Sequence, residues 1–328
     1  NKDCADGFSL GPFYSREEVD RVVGHKVWVP TERIDVEQKN KVREVDSATV
    51  SGSNKMSAVM EKLQLPNTDK NVALLRLMAD KAREAGIQPW PKENHPFIKE
   101  DDVLTESESL SPLVGWVLDE RKAYRQVGIK PEHRRFSIVA MIDPDTKKLA
   151  YFVMVGHSFG LTSAVYNYNR RSAMIDEFLV KLFEIVATCY YDDKFGFELE
   201  EQAARTHQIV ARVHKLLGAD FDEAKLQIGK KIDVLGVTYN LWDMKLEIKK
   251  KRKEQILAEI AEIMENKSLE RGRAGKLKGV LMFGASQLWG KVGRAFMLAL
   301  SERQYDKRGR TDLTEPIKAS LEGWKHLV

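Results

Sequence analysis

The spacing of apolar and polar residues changes along the chain, and each change marks an element. Residues 33–36 (RIDV) and 42–46 (VREVD) alternate polar and apolar side chains, the pattern of half-buried strands. Over 71–85 (NVALLRLMADKAREA) the apolar positions recur at helical spacing, and Gly86 follows as a stop. Residues 87–112, rich in Pro, Glu and Asp, predict a surface excursion. The continuous apolar run 113–118 predicts a strand ending at Asp119. Runs at 136–141 and 149–155 flank DPDTKK and predict a hairpin, with Asp143 and Asp145 as turn formers. Helices are expected over much of 163–182 and over 201–217, the second stopped by Gly218. Between them, FEIVATC (183–189) and FGFEL (from Phe195) enclose Tyr190-Tyr191-Asp192-Asp193, which reads as strand, tight turn, strand. Strand-like pieces follow at 225–228 and 232–239. The stretch 246–303 reads as helical, interrupted by Gly and Arg at 271–275 and resuming at Leu277. No internal repeat or low-complexity tract is present.

Composition narrows the picture only in part. A chain of 328 residues, 43% hydrophobic, can bury a core spread over two or three domains. The net charge of +4 is modest, but the basic residues cluster. Lys249-Lys250-Lys251-Arg252-Lys253 is one block, and Arg271, Arg273, Lys276 and Lys278 form another. Such clusters either attract phosphates or serve as solvated helix faces. Cys4 and Cys189 make neither a disulfide framework nor a thiolate metal site, which fits a reducing compartment. No run approaches the roughly twenty apolar residues of a membrane span, and no signal peptide is visible. An intracellular location, cytoplasm or nucleus, is therefore expected, with no membrane partner. The chain opens on Asn1, as a segment of a longer polyprotein would.

The candidate chemistry is carboxylate chemistry. Adjacent acids such as Asp192-Asp193 repel each other, and a cation between them relieves the repulsion. Oxygen-only ligands suit magnesium or manganese. A solvated Asp-Asp turn is the plainer alternative. Asp119 would be delivered to the site by its strand, or would be an ordinary strand-end acid or helix cap. In Phe159-Gly160-Leu161-Thr162-Ser163-Ala164, the glycine permits close approach of a flat ligand to the backbone, or serves a loop-to-helix junction.

Taken in order, Asp119-x-x-x-Ala123-Tyr124-Arg125-Gln126, Phe159-Gly160-Leu161-x-Ser163-Ala164 and Tyr190-Tyr191-Asp192-Asp193 resemble motifs A, B and C of reverse transcriptases. Lys225, after a helix and Gly218, resembles the motif D lysine, and Val234-Leu235-Gly236-Val237 the primer-grip turn of motif E. Lys39, Lys41, Arg43 and Asp46, followed by Asn54, look like a fingers segment. Residues 277–296 are similar to the thumb of retroelement enzymes, particularly those of the DIRS-like class, so the chain resembles a DIRS-like/LTR-type retrotransposon Pol fragment.

The resemblance, over about residues 25–325, implies an α+β right-hand polymerase. Residues 1–112 would form fingers and the first part of the palm, 113–245 the palm with a fingers hairpin near 130–156, and 246–310 a helical thumb. Residues 311–328 would lead toward an RNase H-like domain. It implies an RNA-directed DNA polymerase, a nucleotidyltransferase working on an RNA template, a DNA primer or RNA–DNA hybrid, and deoxynucleoside triphosphates. Asp119, Asp192 and Asp193 would hold two Mg2+ ions, or Mn2+, for in-line displacement at phosphorus. Lys41 and Arg43 would face the triphosphate. Tyr124 would lie under the sugar, Gly160 under the nascent pair, and Lys225 by the leaving pyrophosphate. Tyr191, Leu235 and Gly236 would contact the primer, and Trp289 and Phe296 would be thumb core. Glu120 and Val165 depart from the family pattern, and Gln126 has no assigned role. A decayed nucleic-acid-binding remnant and a DNA-templated polymerase are the alternatives.

Overall fold

The computed structural model describes residues 2–38, 41–91, 96, 111–287 and 289–328, without the side chains of 35, 38, 41–43, 283, 286, 287 and 289–292. The chain begins with α1 (Lys2–Ala5), β1 (Ser9–Phe13) and α2 (Arg16–Val23). A capping box starts α2: Ser15 Oγ accepts from Glu18 N, and the Glu18 carboxylate accepts from Ser15 N. Next come β2 (Pro30–Gln38), β3 (Lys41–Asp46), α3 (Thr68–Glu84), β4 (Leu113–Asp119), β5 (Ile138–Ile142) and β6 (Leu149–Met154). Then follow α4 (Thr162–Phe183), β7 (Ala187–Tyr190), β8 (Asp193–Leu199), α5 (Glu200–Leu216), β9 (Gln227–Gly229), β10 (Lys231–Val234), β11 (Val237–Asn240) and β12 (Lys245–Ile248). Four helices close the described chain: α6 (Lys250–Asn266), α7 (Arg271–Gln287), α8 (Leu298–Gln304) and α9 (Glu315–Leu327).

The architecture is α+β. Among the described residues, three sheets have the orders β1-β6-β5-β2-β3, β7-β8-β4-β9 and β10-β11-β12. The chain divides into two compact units, each assembled from separate segments: 1–65, 118–194 and 207–226 in the first, and 66–117, 195–206 and 227–328 in the second.

In the first unit, β2 and β3 pair antiparallel with Ile34 opposite Val45, while β2 runs parallel to β5. Successive β5 residues serve opposite faces. Ile138 packs with Val19, Trp28 and Val153, and Val139 packs with Ala150, Phe152 and Met154. That period-two split lets one sheet carry apolar cover on both sides. The expected 143–148 turn is present, with the Asp143 carboxylate accepting from Asp145 N at 2.9 Å.

In the second unit, Ile256, Ile260 and Ile263 form the buried stripe of α6, with Leu277 and Leu281 of α7, Leu300 of α8, and Leu321 and Trp324 of α9. Residues 311–328, expected as a connecting segment, thus contribute α9 to this core. Phe296 packs against it as expected, whereas the Trp289 side chain lies outside the described residues.

Several element boundaries differ from the sequence reading, among them the strand expected at 225–228, which begins only at Gln227. The break between α6 and α7 falls at 267–270, where Lys267 adopts φ 49° and Leu269 is buried with its N–H on Thr311 O. Gly272 and Gly275 sit inside α7, because tertiary packing outweighs their low helix propensity. Helix α4 keeps Phe183, so the strand into the acidic turn starts only at Ala187. The piece at 232–239 is a hairpin whose turn residues, Leu235 and Gly236, have φ 53° and 76°, the signature of a type I′ turn.

Candidate active site

The apolar side chains of β4 are all buried until the strand reaches Asp119, its first partly exposed residue. The β7–β8 hairpin turns through Tyr191, at φ 54°, and Asp192. Cys189 Sγ braces the turn by donating to Tyr191 O at 2.8 Å, and the Tyr191 ring stands edge-on to Tyr190. Glu120 N donates to Asp192 O at 3.2 Å, which ties the end of β4 to the tip of the hairpin.

Strand alternation then sorts the charges. Asp119 and Asp193 are half-buried, while their successors Glu120 and Lys194 point into the interior. There, Glu120 accepts from Arg171 of α4 at 3.1 Å, and Lys194 is held by Asp176 and Ser172 of the same helix.

Burial pushes the Asp193 carboxyl up to about 6, and the negative charges of Asp192 and Asp119 push it the same way; Lys225 opposes them. Three carboxylates therefore share one field in the first unit. The Lys225 ammonium lies 2.7 Å from Asp119 Oδ1, and this contact holds the lysine's pKa above its ordinary value.

Next to the acids, the 3-10 turn Ala123–Gln126 carries Tyr124, whose ring meets Phe159 at 5.0 Å and Tyr168 at 5.1 Å, both edge-on. Burial raises the Tyr124 phenol pKa, and the Asp192 charge adds to the effect. Arg125 anchors the turn: with Arg33 it grips the fully buried Asp46 carboxylate, at 3.0 and 2.8 Å. Asp46 N in turn donates to Phe159 O. Gly160 has φ 102°, and a Cβ there would lie 2.1 Å from Asp46 O, so the backbone of this chain alone demands glycine. Asn54 completes the junction, donating to Gly160 O at 2.9 Å and accepting from Thr162 N at 2.8 Å.

The first unit thus brings together Asp119, Asp192, Asp193, Lys225, Tyr191, Tyr124 and Gly160. Lys41 and Arg43 lie on β3 of that unit, but their side chains, like all of Lys39, fall outside the described residues. Leu235 and Gly236 form their turn in the second unit.

Sequence reasoning passed over Gln126. Its amide donates to Arg121 O and Asp220 O, at 2.5 and 2.9 Å, and accepts from Asp220 N at 2.6 Å. Its partner lies 94 positions away, so no local spacing signals it.

Could the acids hold metal? The donor set is oxygen-only, as hard divalent cations require, and the crowding of charge around Asp193 favours a cation. Among the described residues, no group of three or more His, Cys, Asp or Glu is placed to hold a metal as the side chains stand. One Asp119 oxygen is engaged by Lys225 instead. That lysine's side chain is 55% exposed, so the pair is worth at most about 1 kcal/mol and a doubly charged ion can displace it. In donor chemistry, though not in the present placement of their side chains, the three carboxylates suit a hard divalent ion.

No protein-family model matches the chain, and no curated protein matches it in sequence. Solved structures do match in fold. A foamy viral protease-reverse transcriptase in complex with double-stranded DNA superposes with a TM-score of 0.62 at 10% identity, over 99% of this chain and 45% of that one. A foamy viral protease-reverse transcriptase in complex with an RNA/DNA hybrid gives 0.54 at 11%, over 97% of this chain and 38% of that one. The chain therefore has a reverse-transcriptase-like fold, and spans less than half the length of either of these proteins. No helix among the described residues is long and apolar enough to cross a membrane.

Proposed function

We propose that the chain is an RNA-directed DNA polymerase that adds deoxynucleotides to a primer on an RNA template. The observation that carries this reading is the meeting of Asp119, at the end of β4, with Asp192-Asp193, at the β7–β8 turn, on a reverse-transcriptase-like fold. Asp119 and Asp192 are the residues to hold Mg2+, or Mn2+, with Asp193 beside them. When bound, the two ions supply Lewis-acid stabilisation for the attacking and leaving oxygens of an in-line displacement. The residues of the chain do the rest. Tyr124, fixed by Phe159 and Tyr168, presents a rigid ring that would collide with a ribose 2′-hydroxyl. Lys225 Nζ is a proton donor for the departing pyrophosphate. Lys41 and Arg43 are the proposed cationic donors to the triphosphate. Gly160 is proposed to support the nascent pair and Tyr191 to contact the primer, and the turn at Leu235 and Gly236 is proposed separately as a primer contact.

In this reading residues 1–112 and 113–245 are fingers and palm. The basic block at 249–253 and the basic start of α7 belong to a thumb that grips the duplex through its phosphates. A DIRS-like retrotransposon polyprotein is the proposed source. A second reading is a nucleic-acid-binding remnant that no longer catalyses, and the lack, among the described residues, of acids placed together to hold a metal favours it. Primer extension with Mg2+ on matched RNA and DNA templates separates them. Extension on RNA that is abolished in Asp192→Asn, with the circular dichroism unchanged, supports the polymerase. Undiminished extension by Asp192→Asn overturns the site, and extension on DNA alone overturns the template assignment.

A further inference from the structure

Lys225 reaches Asp119 only because the segment before it is stitched to the end of β4. Asp222 N donates to Asp119 O at 2.8 Å, and Arg121 N donates to Asp220 O at 3.0 Å. Glu120 and Phe221 form an antiparallel bridge between the same two segments. The Gln126 amide closes the arrangement by reading both backbone groups of Asp220 while also capping Arg121 O. A side-chain amide thus supplies the paired bonds that another strand residue would otherwise make. From Asp220 the chain passes through the short turn Glu223–Lys225, where Lys225 N donates to Asp222 O and its Nζ lies 2.7 Å from Asp119 Oδ1 and 3.6 Å from Asp222 Oδ2.

We propose that Gln126 is a positioning residue that delivers Lys225 to Asp119 as a tethered cation, which a divalent ion must displace to enter the acidic site. The inference rests on the metal-binding reading of Asp119 and Asp192. Without an ion, the ammonium neutralises part of the charge that crowds Asp193. Displaced by an ion, Lys225 would keep Asp222 Oδ2, 3.6 Å away, as its partner. Gln126 sets how strongly the lysine competes, because loosening 220–225 lowers the local concentration of ammonium at Asp119.

The experiment measures equilibrium Mn2+ binding to the full chain by calorimetry and by electron paramagnetic resonance of free Mn2+, without nucleic acid or turnover. Lys225→Met is expected to tighten Mn2+ binding about fivefold, the factor that corresponds to losing one exposed ion-pair competitor. Gln126→Leu should tighten it by a smaller factor, and should add nothing in the Lys225→Met background. Gln126→Glu, which keeps the acceptor for Asp220 N but loses both donors, should fall between wild type and Gln126→Leu. Unchanged affinity in Lys225→Met, or Gln126→Leu effects that persist without the lysine, overturns the proposal. Should Gln126→Leu fail to fold, Gln126→Glu and Lys225→Met carry the test. Asp192→Asn separates the two levels. If it abolishes Mn2+ binding while Lys225→Met leaves it unchanged, only the tethered-cation proposal falls. If Asp192→Asn binds Mn2+ as wild type does, the metal site falls, and this proposal with it.

Discussion

Replacing Arg171 with methionine tests the support beneath the acids. Glu120 directly follows Asp119, its side chain is 1% exposed, and its Oε2 accepts from Arg171 Nη1 at 3.1 Å. Burial pushes the Glu120 carboxyl pKa up, and the Arg171 charge is the largest influence holding it down. At that separation and an effective dielectric of ~20, the attraction is about 5 kcal/mol. The cost of desolvating two ions is of similar size, so the intact pair contributes little net stability. Breaking it is another matter. Arg171→Met leaves a buried carboxylate without its guanidinium and should destabilise the fold by about 3–5 kcal/mol. Glu120→Leu should cost less, because Arg171, with its side chain 14% exposed, can turn toward water. The double variant Glu120→Leu/Arg171→Met should return to within about 1 kcal/mol of wild type, because no charge is then left uncompensated. Urea unfolding at pH 7, followed by circular dichroism, gives all four corners of the cycle. An Arg171→Met variant within about 1 kcal/mol of wild type would refute the reasoning, as would a double variant whose loss equals the sum of the singles.

Two further outcomes follow from the first unit. His214 is fully buried with Nδ1 2.8 Å from Val210 O, and burial, aided by the Lys194 and Arg171 charges, pulls its pKa from 6.5 down to about 3. The unfolded chain takes up that proton below pH 6.5 and the folded one does not, so the stability present above pH 6.5 drains away as the pH falls toward 3. The loss between pH 7 and pH 5 should be about 2 kcal/mol greater in wild type than in His214→Gln by urea unfolding, and equal losses would contradict it. Gly160→Ala must place a Cβ against Asp46 O at a positive φ, and should lower stability by about 2 kcal/mol or more; a thermal midpoint unchanged from wild type would count against the described loop.

Much of this protein is legible in its sequence. Period-two alternation marked β2 and β3, helical spacing with a glycine stop marked α3 and α5, and the apolar run ending at Asp119 marked β4. These features are local: each depends on residues within a few positions, so the chain displays them directly. The order Asp119, Gly160, Asp192-Asp193 likewise pointed to a reverse-transcriptase-like fold, and the superpositions agree with that fold. The residues around the acids were less visible. Glycines at 272 and 275 suggested a break that packing of α7 overrides, and Gly160 owes its place to Asp46, 114 positions earlier. Glu120 looked like a departure beside the acid until Arg171 of α4 gave it a partner, and Gln126 had no role until Asp220 came against it. Many of the elements and the order of the acidic motifs are written in the sequence, because hydrophobic periodicity and turn chemistry act over short spans. Which charges meet depends on the packed fold. A buried acid needs its partner in space, and the chain can bring that partner from any distance along its length.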